Sequence, residues 1–211
     1  MGINTKEEIP DVIVKTGPKI FYFIIPLFIF ISILSKPIWQ IFYGDGKFGS
    51  LIFSLQSILQ VASFGFLFSH YFLISAKSYK PFIFSSLTCF IIQILFKSAF
   101  AHALYSVSLS GIFGIFLSSF LGYLVSSLIA FYFLFKRYHL DFELSIKYFF
   151  DILICVVLTS VVILFLRTFL VFPTVNRFTS LIECIFYLPF SFIIYLYLTK
   201  QFGFTKLIFK K

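Results

Sequence analysis

Residues Tyr148–Val171 read YFFDILICVVLTSVVILFLRTFLV, and between Asp151 and Arg167 no residue carries a charge. A bilayer's hydrocarbon core is about 30 Å thick and takes roughly 20 apolar residues of helix to cross. The stretch is long enough. It lacks the strict apolar/polar alternation of a membrane barrel strand, and backbone in lipid must satisfy its own hydrogen bonds, which leaves the helix. The same test, carried outward, finds five more spans: Lys19–Ile41, Gly49–Ser75, Pro81–Leu104, Ser110–Phe135 and Phe178–Thr199. The first of these is interrupted by Pro26 and weakened after Leu34 by Ser35-Lys36-Pro37. The sequence thus predicts an all-α membrane protein with six transmembrane helices.

Composition agrees. Of 211 residues, 60% are hydrophobic and 12% charged, and mean hydropathy is +1.04. A soluble domain carries about twice that charge, and a disordered chain needs the opposite balance. The formal net charge of +9 would suggest nucleic acid in a soluble protein. Here it follows from topology. Twelve Lys and Arg fall on one side of the six-span arrangement: Lys6, Lys15, Lys19, Lys77, Lys80, Lys136, Arg137, Lys147, Lys200, Lys206, Lys210 and Lys211. Four fall on the other, namely Lys36, Lys47, Arg167 and Arg177, while Lys97 lies inside the third span. Cytoplasmic loops hold the excess of basic residues, so both termini are expected in the cytoplasm, next to anionic lipid. No nucleic-acid partner is expected.

The expected organisation is a cytoplasmic tail (1–18), a four-helix part (19–135), a cytoplasmic loop (136–147), a two-helix hairpin (148–199) and a basic tail (200–211). The N-terminal stretch is polar, carries Glu7, Glu8 and Asp11, and lacks the pattern of a cleavable signal peptide. Gly44-Asp45-Gly46 reads as a turn. Cys89, Cys155 and Cys184 fall singly in the spans and read as small packing residues, with neither disulfide nor metal.

An ionisable group at membrane depth is expensive unless it is paired, snorkels or meets water, so each is a functional candidate. Gln93 and Lys97 stand one turn apart on one helix face. Lys97 either snorkels to the outer rim or forms a polar patch with Gln93. Asp151 lies one turn beyond Lys147, as an i,i+4 pair at the inner end of the fifth span. Arg167, near the outer end of the fifth span, and Glu183, early in the sixth, match in depth and can pair across the hairpin. His70 reads as a hydrogen-bonded helix contact, and His102 as interfacial. Gly111, Gly114, Ser118, Ser119, Gly122, Ser126 and Ser127 form a small-residue face suited to close helix packing. His139, Asp141 and Glu143 cluster in a loop, where a solvated rim is the ordinary reading. No acyl-transfer, phosphotransferase, HExxH or phosphate-loop pattern occurs, so neither enzyme activity nor a cofactor is expected.

Four features in order resemble the C-terminal part of the polysaccharide and lipid II flippases, the oligosaccharidyl-lipid branch of the multidrug/oligosaccharidyl-lipid/polysaccharide exporter superfamily, in particular its stage V sporulation protein B-like group. They are Ile24-Ile25-Pro26-Leu27 with Ser35-Lys36-Pro37-Ile38 and Ile41-Phe42-Tyr43-Gly44; Leu73 to Pro81 with Ala76 between; the Lys97 helix; and Gly111-Ile112-Phe113-Gly114 leading into a Ser-rich helix with Gly122-Tyr123. Family members have about fourteen helices in two pseudo-symmetric lobes, so the resemblance implies the last six. It implies a multi-pass protein of a bacterial cell membrane, with membrane lipid, a lipid-linked sugar substrate and an N-terminal flippase lobe as partners. Gln93, Lys97 and Ser118 would then line the substrate cavity, with Gln93 and Lys97 facing an anionic pyrophosphate, and Arg167 with Glu183 would form or brace a lateral groove. In some sodium-coupled relatives a carboxylate occupies the Lys97 helix; an ammonium there would replace a cation instead of binding one. The alternative is a membrane-embedded assembly subunit with no transport path of its own.

Overall fold

The computed structural model describes residues 13, 16–44, 46–106, 111–139, 142–170 and 176–202, and their regular structure is helical throughout. Among the described residues seven helices follow in order: α1 (Gly17–Ile33), α2 (Ser35–Tyr43), α3 (Lys47–Ser75), α4 (Tyr79–Ser106), α5 (Gly111–Tyr138), α6 (Phe142–Phe169) and α7 (Arg177–Gln201). Five of them are long and apolar enough to cross a membrane, and α1 with α2, bent by 68° at their junction, make up a sixth span if taken together. Spans two, three, four and six match their expected ranges to within three residues at each end. The fifth starts earlier, at Phe142, so most of the expected 136–147 loop is helix. Polar residues there mark the end of the apolar stretch but contain no helix breaker.

The first span departs most from its sequence pattern. Pro26 does not interrupt α1; the helix runs through it and breaks at Leu34. A proline removes one N–H and so orphans the carbonyl four residues earlier. For Pro26 that carbonyl belongs to Tyr22, and the buried Tyr195 hydroxyl donates to it at 2.9 Å. The Tyr22 hydroxyl in turn bonds the Thr199 hydroxyl at 2.7 Å. With the orphan satisfied from α7, α1 can continue. Tyr195→Phe is therefore expected to destabilise the fold by about 1 kcal/mol, seen as a lower unfolding midpoint in detergent. An unchanged midpoint would detach Tyr195 from the proline.

The chain divides into two compact units. In the unit built mainly from residues 59–142, α4 and α5 pack closely through small residues. A Cβ on Gly114 would stand 2.7 Å from Ala101 Cα, and one on Gly122 would stand 3.1 Å from the Cys89 carbonyl oxygen. Only glycine permits this approach. Phe72, Leu73, Ala76, Ala130 and Leu134, with Ile13, form the buried apolar cluster of this unit. In the unit of residues 15–58 and 143–211, Leu34, Ile163 and Tyr187 form the corresponding cluster, with Ile33, Ile38 and Leu166 against it. Many large apolar side chains remain exposed, among them Phe90, Leu95, Val157 and Phe165. That exterior is expensive in water and natural in lipid.

Candidate functional site

The polar constellation with the fewest ordinary explanations lies where α1 gives way to α2. Pro37 has no N–H to offer the Ile33 carbonyl, and its ring crowds that oxygen. Here the helix does break, one residue later, at Leu34. The Ile33 carbonyl instead accepts a charge-assisted bond from Arg167 Nη1 on α6, at 2.9 Å. Arg167 Nη2 reaches Glu183 Oε1 on α7, at 2.6 Å. One guanidinium thus joins the broken span, α6 and α7. Arginine suits this position because its planar fork presents two donors at a fixed separation.

Glu183 is 3% exposed. Its Oε1 is paired, but Oε2 is buried without a hydrogen-bond partner among the described residues. A buried acceptor left unmade costs about 1–3 kcal/mol, so the carboxylate is only half satisfied. One turn before it, the Ser180 hydroxyl donates to Gln40 Oε1 at 2.9 Å, tying α7 to α2. One turn after it, the Tyr187 hydroxyl donates to the Leu170 carbonyl just past the end of α6, at 3.0 Å. Ser32 and Ser54 share a hydroxyl bond at 2.7 Å, and Ser54 also reaches the Ser32 carbonyl at 3.2 Å. The break is therefore bound on several sides by polar groups.

The other candidates are placed as follows. Gln93 is half-buried, donates weakly to Cys89 Sγ at 3.4 Å, and lies over Gly122. Lys97, one turn on, is exposed. Ser118 is 1% exposed and its hydroxyl bonds the Ile115 carbonyl of its own helix at 2.9 Å. Gln93 thus belongs to the α4–α5 contact, Ser118 is buried on α5, and Lys97 stands free of both. Lys147 is exposed and Asp151 half-buried; no ion pair joins them among the described residues. Arg167 and Glu183, by contrast, do pair.

His70 is a helix contact. Its Nδ1 lies 2.8 Å from the Phe66 carbonyl, which can only accept, so in the neutral ring Nε2 is left to accept from Ser85 at 2.9 Å. Ser126 donates to the Ser85 carbonyl at 2.7 Å, which links α3, α4 and α5. His102 and His139 are exposed. Asp45 and Asp141 lie outside the described residues. Among those described, no three His, Cys, Asp or Glu side chains group as metal ligands, and the three cysteines are free.

No known protein family, curated protein or solved structure matches the chain. Function has to be argued from the site.

Sequence reading missed three members of the polar set around the break: the Ile33 carbonyl, Gln40 and Ser180. The signal for the first was present. A proline at position 37 orphans the carbonyl at 33, and an orphaned carbonyl at membrane depth needs a donor. Gln40 and Ser180 meet only through tertiary structure, 140 positions apart in the chain.

Proposed function

We propose that the chain is the C-terminal six-helix part of a flippase for lipid-linked sugars, working by alternating access together with an N-terminal lobe. It would sit in a bacterial cell membrane with both termini in the cytoplasm. The observation that carries this proposal is the discontinuous first span, held at its break by a half-buried cation. Non-helical backbone at membrane depth is tolerated where protein or a water-filled cavity satisfies it, and transporters use such broken helices at their working sites. A passive anchor has no need of one. The order of the proline, small-residue and Lys97 motifs supports the same reading, as does the one-sided distribution of basic residues.

In this account Lys97 supplies a point charge for a pyrophosphate head group, on a helix whose outer faces are left open. Gln93 and Ser118 shape the supporting helix pair around it. Arg167 and Glu183 brace the terminal hairpin against the broken span. The test is translocation of a fluorescent lipid-linked sugar in proteoliposomes holding the chain and its partner lobe. Lys97→Ala is expected to slow translocation roughly tenfold, the effect of losing about 1.4 kcal/mol of charge-assisted binding. Unchanged translocation would remove Lys97 from the cavity.

The second reading, an assembly subunit without its own path, is favoured by one feature. α4 packs principally on α5 and leaves Ile83, Leu87, Phe90, Ile91, Ile94 and Leu95 exposed. On that reading a helix of another chain covers α4, and a stable complex forms whether or not Lys97 is present.

A further inference from the structure

We propose that the α3–α4 turn and the C-terminal end of α5 together bind the phosphate head group of an anionic phospholipid in the adjoining leaflet. Such a site needs only that these helices span a membrane, and it serves a cargo carrier and an assembly subunit alike. Topology accounts for basic residues at the ends of spans. It does not account for how these are held. At the end of α3 the Ser78 N–H donates to the Leu73 carbonyl at 2.8 Å, and the Lys77 N–H to the Ile74 carbonyl at 2.9 Å. This is a Schellman motif, whose left-handed residue is usually glycine because a Cβ is strained there. Here that residue is Lys77, at φ +53°, and α5 ends on a left-handed residue too, His139 at φ +51°. Among the described residues these are the two non-glycine residues of positive φ, and both belong to one compact unit. A basic side chain meets the carbonyls of a helix C-terminus favourably, which explains one such residue per helix end but not the cations around them.

Arg137 ties the two ends together. Its Nη1 donates to the hydroxyl of buried Ser78, and its guanidinium carbon stands 5.9 Å from the centre of the Tyr138 ring. Its other donors meet no acceptor among the described residues. Lys77 and Lys80 flank Ser78 in the chain, Lys136 and His139 flank Arg137, and each is exposed. No Asp or Glu occurs between residues 46 and 140. Glu7, Glu8, Asp11 and Asp141 lie outside the described residues. A planar fork with free donors, ringed by ammonium groups, is a recognition set for phosphate. At the ends of spans that phosphate comes attached to acyl chains, and exposed Ile74 and Ile83 offer apolar surface next to the turn. The lack of a carboxylate leaves nothing to meet the ammonium of a zwitterionic head group, so the charge favours an anionic lipid.

The experiment titrates the delipidated full-length chain in detergent with dioleoyl phosphatidylglycerol or dioleoyl phosphatidylcholine and counts bound lipid by native mass spectrometry. Phosphatidylglycerol is expected to bind the more tightly. Lys77→Gly is expected to weaken its binding about fivefold, the effect of one basic residue at a membrane surface, without lowering the unfolding midpoint, since glycine suits the left-handed conformation. Lys136→Gln, in regular helix, is expected to weaken it by a similar factor. Lys200→Ala is the control: Lys200 is an exposed lysine in the last turn of α7, outside this unit, and its loss is expected to leave the affinity unchanged. Four results would each overturn the proposal. They are equal affinity for the two lipids, an equal loss in Lys200→Ala, and displacement of the lipid by inorganic phosphate at the lipid's own concentration. The fourth is a tighter phosphatidylglycerol complex when Glu7, Glu8 and Asp11 are replaced by their amides, which would make the acidic N-terminal segment the occupant.

Discussion

Arg167→Ala is expected to lower the unfolding free energy by about 2–4 kcal/mol, a little under the range for breaking a fully buried ion pair, because Glu183 is buried but Arg167 is 24% exposed. Two losses combine. Glu183, 3% exposed, is left as an uncompensated buried charge. The Ile33 carbonyl, which Pro37 has already deprived of its helical donor, loses its replacement. The pair is not thereby a large net stabiliser, since desolvating both ions consumes much of what their attraction returns. What it fixes is the arrangement: a span broken at Leu34 with α6 and α7 seated against it. Thermal or denaturant unfolding in detergent checks the magnitude. A loss below about 1 kcal/mol, typical of an exposed pair, would mean that Arg167 is solvated.

Gly114→Ala has the second large effect. The added methyl would meet Ala101 Cα at 2.7 Å, against backbone that cannot rotate away. α4 and α5 must move apart, at about 1–3 kcal/mol for an overpacked contact. That loss outweighs the helix-propensity gain of roughly 1 kcal/mol that alanine brings over glycine. Gly111→Ala is the control, because its Cβ would find Ala101 Cβ at 3.7 Å, an ordinary contact. It is expected to change stability by no more than about 0.5 kcal/mol. Equal effects at the two positions would show that helix propensity decides, and that the small-residue face is not a packing seam.

The contrast between these sites tells what could be read from the chain. Gly114, Ser118, Gly122 and Ser126 recur at four-residue spacing, and that spacing alone marks one helix face. Its partner is the preceding helix, the nearest in sequence, so local pattern carried most of the information. Depth matching was enough to bring Arg167 to Glu183, because both lie about two turns or less from the facing ends of α6 and α7. The break in the first span was harder. Pro26 and Pro37 both fall inside the first expected span, yet the helix survives one and breaks near the other. Each freed carbonyl is met by a donor from another helix, a tyrosine hydroxyl from α7 at Tyr22 and a guanidinium from α6 at Ile33. Neither donor is near its proline in the sequence. Lys97 shows the opposite limit, a charge plain in the sequence that stands on an open helix face without an ion-pair partner among the described residues.

The central claim is that Arg167 and Glu183 act as one unit holding the broken span, and a double-mutant cycle tests it most directly. Unfolding free energies are measured for the wild type, Arg167→Ala, Glu183→Ala and the double variant in the same detergent. The double variant is expected to be little worse than Arg167→Ala alone, giving a coupling energy on the order of 2 kcal/mol. Losses that add to within about 0.5 kcal/mol would contradict it, because the two residues would then be stabilising the fold independently.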